Sequence, residues 1–316
     1  MDDEPKKNPL IEEALAGDSK QGADSAAALP AKLDRYSNAH RRTVDMAKYA
    51  MDRGEKDIWI KLSGCGNYLL FREYYTKDIV RLHAAQFCKL HLLCPLCAVR
   101  RAVKTMKAYK DRYDVLREQF PGVRLSLVTL TVKDGKSLAE RQAHLTKALR
   151  QLVRARSRTR SRDSELKKCL AAVWSYEAKR GANSGLWHPH VHILVLHYDD
   201  LDAFALSKQW HEVTGDSMIV DVRPIADPND DIGGFCEVFK YALKIDSLPF
   251  DDNWDAFVTL KGKRLVASFG EFRGVEVPEA LTDEPLDSLP YVEHFYKFLP
   301  GAGYSYAPKP NGGRNE

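Results

Sequence analysis

The sequence predicts an α+β fold: a central antiparallel sheet with helices packed on it, plus a small N-terminal metal-binding segment. Three observations lead there. Apolar, β-branched runs recur at Leu125–Val132, Leu170–Glu177 and Trp187–Leu196, each with strand periodicity. Stretches of helical length separate or follow them. Four of the six cysteines fall between positions 65 and 97. Strands interleaved with such helices suggest a sheet with one face covered by helices.

The first 40 residues are polar at their start and are read as a disordered arm. Residues 31–55 carry scattered apolar anchors at helical spacing (Tyr36, Val44, Met46, Tyr49, Met51). Ile58-Trp59-Ile60-Lys61-Leu62 alternates like a strand, Ser63–Asn67 is a turn, and Tyr68–Phe71 resumes the strand. A basic amphipathic helix is expected from Ala98 to about Gln119. After the strand at Leu125–Val132, a helix runs from about Ser137 to Val153, with Ser137 as cap and Glu140 three residues on. Asp199-Asp200 breaks the last long strand. A helix from about Leu201 to Thr214, a short strand Met218–Val222 and a helix from Phe235 to about Lys244 follow. Residues 276–316 are rich in Pro and Gly and read as a loosely structured tail. The domain division is then an arm (1–40), a zinc- and DNA-binding segment (41–112), a catalytic domain (113–275) and the tail.

Composition bounds the function classes. The 316 residues carry a net charge of +4, 44% hydrophobic and 29% charged residues, an ordinary globular balance. No apolar run approaches membrane-spanning length, so no membrane partner is expected. The acidic start, Met1-Asp2-Asp3-Glu4, lacks a signal core, so the expected compartment is the cytoplasm. The charge is uneven. Arg150, Arg154, Arg156, Arg158, Arg160 and Arg162 succeed one another without an acid, and Arg100, Arg101, Lys104, Lys107, Lys110 and Arg112 form a second cluster. Such clusters are an electrostatic footprint of phosphate binding. For the 154–162 run a mobile loop is an equal alternative.

The cysteines read as metal ligands before disulfides. Cys88-x-x-His91-x-x-Cys94-Pro95-Leu96-Cys97 presents four candidate ligands in ten residues, with Cys65 upstream at a turn. A structural zinc takes four ligands in a tetrahedron. Cys94 and Cys97 form the firm pair. The other two come from Cys65, Cys88 and His91, with the two thiols favoured. Such an ion would staple a segment that has little core of its own.

His188-Pro189-His190-Val191-His192 opens the strand that continues to Leu196. Residues i and i+2 of a strand share a face, about 6.6 Å apart, so two imidazoles can lean onto one ion. Pro189 belongs at a strand start or edge, which favours His190 and His192 over His188. Glu177 ends another strand and is a candidate third ligand; the alternative is a surface glutamate beside Lys179 and Arg180. Two imidazoles and a carboxylate suit magnesium or manganese acting on a phosphate. Glu237, Tyr241 and Lys244 share one face of a helix, opposite Phe235, Val238, Phe239 and Ala242. That face is either simply solvated or chemical. In the second case Lys244 lowers the phenol pKa of Tyr241 and Glu237 serves as a general base.

These motifs resemble the replication initiators of small rolling-circle plasmids, which are HUH-type single-strand endonucleases. Leu127-Val128-Thr129-Leu130-Thr131 matches the family's first motif. His188 through Leu194 matches His-Pro-His-x-His-x-Leu, and Glu237 through Lys244 matches Glu-Val-x-Lys-Tyr-x-x-Lys. Cys94 to Arg101 is similar to its cysteine-rich segment. The resemblance covers about residues 60–275. It implies an HUH-like fold and a divalent ion on His190 and His192. It also implies attack by Tyr241 on origin DNA to give a 5′-phosphotyrosyl bond and a priming 3′-OH, and termination by water activated at Glu237. Host helicase and polymerase are the implied partners. His91 departs from the pattern, standing where a basic residue is expected. An HUH transposase or relaxase, a noncatalytic zinc-ribbon DNA-binding protein and, more distantly, a metal-dependent small-molecule hydrolase are the competing readings.

Overall fold

The structure is a computed structural model that describes residues 24–157, 164–225, 231–239 and 248–308. The chain divides into two compact units: residues up to 104 together with those from 278 onward, and residues 105–277. The boundary falls inside one long helix, near the expected 112/113 but eight residues earlier.

The second unit holds the larger sheet. Its strands are β3 (Arg124–Thr131), β4 (Cys169–Arg180), β5 (Trp187–His197), β6 (Val220–Ile225) and β7 (Val266–Gly270), in the spatial order β6-β3-β5-β4-β7 with every pairing antiparallel. Apart from a register shift between Cys169 and Ala171, side chains alternate between the two faces of the sheet. One face sends Val128, Leu130, Trp174, Tyr176, Val191, Ile193 and Val195 into a core with α4 (Leu138–Arg156) and α5 (Ala203–Thr214). The other face sends Leu125, Leu127, Ala171, Val173, Leu194 and Leu196 against Phe235, Val238 and Phe239 of α6 (Asp231–Phe239). Met106, Tyr109, Tyr113 and Leu116 of α3 (Pro95–Gln119) join the same layer. Helices therefore cover both faces, not one. Both sides of β4 and β5 are apolar over most of their length, which buries these strands from either side. Ser137 caps α4 by accepting from the Glu140 amide at 3.3 Å, as the capping pattern requires. Asp202 caps α5 through the amides of Phe204 and Ala205. A further helix, α7 (Phe250–Leu260), precedes β7.

The first unit departs further from expectation. Helix α1 (Leu29–Asp52) accords with the helical spacing read over 31–55, but it also takes in residues 29–40 of the stretch read as an arm, with Leu33, Tyr36, Ser37 and His40 buried. Ile58–Leu62 lies in a helix, α2 (Lys56–Ser63), not a strand, and Leu62 is its buried residue. The stretch read as a loose tail supplies β8 (Val292–Leu299) and β9 (Gly303–Tyr306). These join β1 (Tyr68–Tyr74) and β2 (Ile79–Ala85) in the order β2-β1-β8-β9. The inner strand β8 pairs with β1 from Tyr68↔Lys297 to Glu73↔Val292. Asp283 binds this C-terminal segment to the rest. It accepts from the Leu82 amide at 2.8 Å, pairs with Arg100 and stands 3.7 Å from Lys104 Nζ. Arg100, 2% exposed, also donates to Leu281 O and Tyr36 Oη. Burial alone would raise the Asp283 carboxyl; Arg100, the Leu82 amide and Lys104 instead hold it at about 2.

Removing the carboxylate leaves Arg100 buried without its counter-charge, so Asp283→Ala is expected to destabilise the first unit by about 3 kcal/mol. Faster hydrogen exchange in β1, β2 and β8 with β3–β5 unchanged is the readout. Because the folded pKa lies below the unfolded one, this contribution is complete above about pH 4 and lost as the pH falls toward about 2. The wild-type and variant proteins should therefore converge in acid.

Candidate metal centres and active site

The register of the larger sheet places the chemistry in rows. His192 faces Thr129 on β3 and Ser175 on β4; His190 faces Thr131 and Glu177. All six side chains lie on the face covered by α6, at the end where the apolar layer stops at Leu194. Glu177, His190 and His192 converge there, with ligand atoms within 4.8 Å of one another. Glu177 Oε2 lies 3.1 Å from His192 Nε2 and 3.3 Å from His190 Nε2. The carboxylate is fully buried and the two imidazoles are 4% and 8% exposed.

Both rings are oriented from behind. His190 Nδ1 lies 3.3 Å from the His188 carbonyl, an acceptor only, so Nδ1–H donates there and Nε2 is the nitrogen turned to the cluster. His192 Nδ1 meets Thr129 Oγ1 at 3.1 Å. Such outer partners fix the ring that binds an ion. The donor set, two Nε2 atoms and a carboxylate oxygen, fits a divalent cation with coordination positions left for substrate oxygens. Sequence reasoning missed Thr129 in this role, although pairing the threonine strand against the histidine strand points to it. His188 shares the face but not the cluster: its Nδ1 is bound to Asp134, whose other oxygen accepts from Ser184.

Helix α6 joins this end of the sheet. The Ser175 hydroxyl, in the row of His192, donates to the Val238 carbonyl. Glu237 is half-buried on the same helix. Tyr241 and Lys244 lie outside the described residues, as does Arg158.

The second centre is in the first unit. The sulfurs of Cys65, Cys88, Cys94 and Cys97 gather within 4.8 Å of one another. Sγ–Sγ distances are 3.5 Å for Cys65–Cys94 and Cys65–Cys97 and 3.6 Å for Cys88–Cys97. None of the six cysteines is in a disulfide. These separations are close to the edge of about 3.8 Å that a tetrahedron with Zn–S near 2.3 Å demands. Backbone amides donate to the sulfurs: Cys88 N to Cys65, Leu90 N to Cys88 and Cys97 N to Cys94, at 3.3–3.4 Å. Cys94 directly precedes α3, so its sulfur meets the positive end of a 25-residue helix that starts at Pro95. Burial works against ionisation of Cys94, but hydrogen bonds from Cys65, Cys88, Cys97 and Thr43 hold it well below the ordinary thiol range. Gly66 makes the turn after Cys65 at φ +71°, and a Cβ there would lie 2.5 Å from Leu96. His91 is exposed and outside the thiol group.

The basic residues divide. Arg100 is committed to Asp283, and Lys104 stands beside it, so Arg100 is not a phosphate contact but an internal tie. Arg101 donates to Pro278 O from the surface. Arg154 is exposed; Arg156 lies over the Phe269 ring at 4.5 Å and donates to Cys169 O. Among the described residues, no helix is long and apolar enough to cross a membrane.

The fold and site define a protein with an antiparallel sheet layered by helices and two paired histidines on its central strand. The family model described as Replication protein (Rep_1) matches residues 79–294, and the chain belongs to that family, the rolling-circle plasmid replication initiators. It is 25% identical over 279 residues to "Protein rep" of Streptococcus pneumoniae serotype 2 (strain D39 / NCTC 7466), covering 77% of this chain and 85% of that one. It is 27% identical over 169 residues to "Protein rep" of Lactiplantibacillus plantarum, covering 51% and 50%, and 27% identical over 175 residues to "Protein rep" of a Bacillus species, covering 53% of each. No solved structure matches.

The geometry brings two of the three histidines to the Glu177 carboxylate and sets the third apart. In a manganese titration, His190→Ala, His192→Ala and Glu177→Gln should each weaken binding by more than about 100-fold, beyond the loss of about 10–100-fold seen on removing an outer partner. His188→Ala should stay within about threefold. Equal losses at 188 would place that ring among the ligands.

Proposed function

We propose that this initiator starts plasmid replication by cutting and rejoining one strand of origin DNA through Tyr241. The observation that carries the proposal is the meeting of Glu177, His190 and His192 beside the helix that bears Glu237 and leads, two residues past its last described residue, to Tyr241. Magnesium or manganese held by the trio would supply Lewis acidity at a phosphoryl oxygen.

The chain's own residues supply the rest. The phenolic oxygen of Tyr241 bonds to the scissile phosphorus and the P–O3′ bond breaks. This yields a 5′-phosphotyrosyl linkage, and the departing oxygen takes up a proton to become the 3′-OH that primes synthesis. A free phenol near pKa 10 is a weak nucleophile at neutral pH; the Lys244 ammonium lowers that value. Between the two cleavages a host polymerase extends the 3′-OH freed by the first, while a host helicase unwinds the duplex ahead of it. At the second cleavage Glu237 takes a proton from water as the water oxygen attacks the scissile phosphorus; the P–O3′ bond breaks and the departing oxygen takes up a proton. The 3′-OH so formed rejoins the strand by attacking the phosphotyrosyl phosphorus, which breaks the bond to Tyr241 and returns its phenol. The four thiols hold a zinc ion whose role is structural: it ties the turn at Cys65 to the start of α3.

Tyr241→Phe should abolish the covalent protein–DNA adduct on single-stranded origin oligonucleotides in manganese and leave their binding within about twofold. An adduct formed by the variant would refute the assignment. The zinc reading expects one zinc per chain by elemental analysis. Its removal by chelator should raise hydrogen exchange throughout β1, β2 and β8, as should Cys97→Ser. A metal-free protein with unchanged exchange would overturn it.

A further inference from the structure

One alternation step beyond the trio, β4 and β5 present another pair on the same face. Lys179 follows Glu177 by two residues, His188 precedes His190 by two, and the register sets Lys179 opposite His188. Side chains two apart on a strand stand about 6.6 Å apart, and directly opposed ones have Cβ atoms about 5 Å apart. The His188 ring centroid lies 5.5 Å from that of His190.

This rim is built rigidly. His188 is held by Asp134, and Asp134 by Ser184. A Cβ on Gly181 would lie 2.5 Å from both Asp134 Oδ2 and Ser184 Oγ, so the carboxylate packs directly against backbone. The loop carrying Asp134 is clamped to the start of β5 by reciprocal bonds between Gly135 and Trp187 at 2.9 and 3.0 Å. The neighbouring Arg180 is committed: it lies over the Trp187 ring at 4.0 Å and pairs with Asp252. Asp134 is likewise occupied by His188 and Ser184. Among the described residues Lys179 makes no ion pair. It is a half-buried cation standing one strand step from the candidate metal centre.

We propose that Lys179 binds the DNA phosphate adjacent to the one that is cut, with the Asp134–His188 pair as the fixed wall that sets the path of the strand. An ion held by the trio would face the reacting phosphate; the next row takes its neighbour. Lys179 is on this view a substrate-positioning residue, not a catalytic one. The inference rests on the nicking reading proposed above.

The test uses the full-length protein and a single-stranded oligonucleotide that the wild type cuts in manganese, found by tiling the replicon that encodes it. Lys179→Gln should weaken binding about tenfold, change the rate of adduct formation at saturation less than about threefold, and lower the slope of log K against log salt by about 0.7, one single-strand phosphate contact. Lys179→Arg should restore both. A neutral methylphosphonate at the linkage on one side of the nick should cost the wild type about tenfold and Lys179→Gln less than about twofold. Unchanged affinity and slope in Lys179→Gln would overturn the subsite, as would independent, multiplying penalties from the variant and the neutral linkage on both sides. A wild type that cuts no oligonucleotide overturns the nicking reading itself, and the subsite with it.

Discussion

A one-residue slip of β5 between its neighbours would turn His190 and His192 into the layer under α4 and α5, and bring Val191 and Ile193 out beside Glu177. Strand periodicity of two makes the site all or nothing in this respect. What forbids the slip is that both faces of β5 are committed over most of their length. Val191, Ile193 and Val195 are buried on one side and Leu194 and Leu196 on the other. The polar cluster is thus held by an apolar register lock a few residues along the same strand.

That lock also permits a carboxylate to sit at zero exposure. An ionised group so placed is tolerated when it is paired or coordinates a metal. Glu177 faces two imidazole nitrogens at 3.1 and 3.3 Å, and the hydrogen bonds at Thr129 and at the His188 carbonyl fix the rings that face it. Ser175 extends the arrangement to α6 through the Val238 carbonyl. Burial, ring orientation and the approach of the helix are one construction.

Much of this was legible in the residues. The strands β3, β4 and β5 announce themselves by β-branched runs, and the Ser137 cap by its spacing to Glu140. The four thiols were grouped by their clustering. Other features resist sequence reasoning for physical reasons. Ile58–Leu62 is a short apolar run, which periodicity alone cannot assign; it is helical although Ile60 is 60% exposed. β8 hides in a Pro- and Gly-rich region because its partner, β1, lies more than 200 residues upstream. Arg100 reads as part of a basic surface because nothing local reveals Asp283. His188 differs from its two neighbours only through Asp134, a loop residue more than 50 positions away.

The interleaving of the two units has a temporal side. β1 and β2 leave the ribosome before any part of the larger sheet, yet β8, the strand that pairs with β1 along its other edge, is translated after β7. During synthesis the larger sheet has all five of its strands while the smaller one still waits for its third. The thiol-bearing end of the chain therefore spends most of its time in translation with an open sheet edge, and a message cut short before codon 292 would leave that edge uncovered for good.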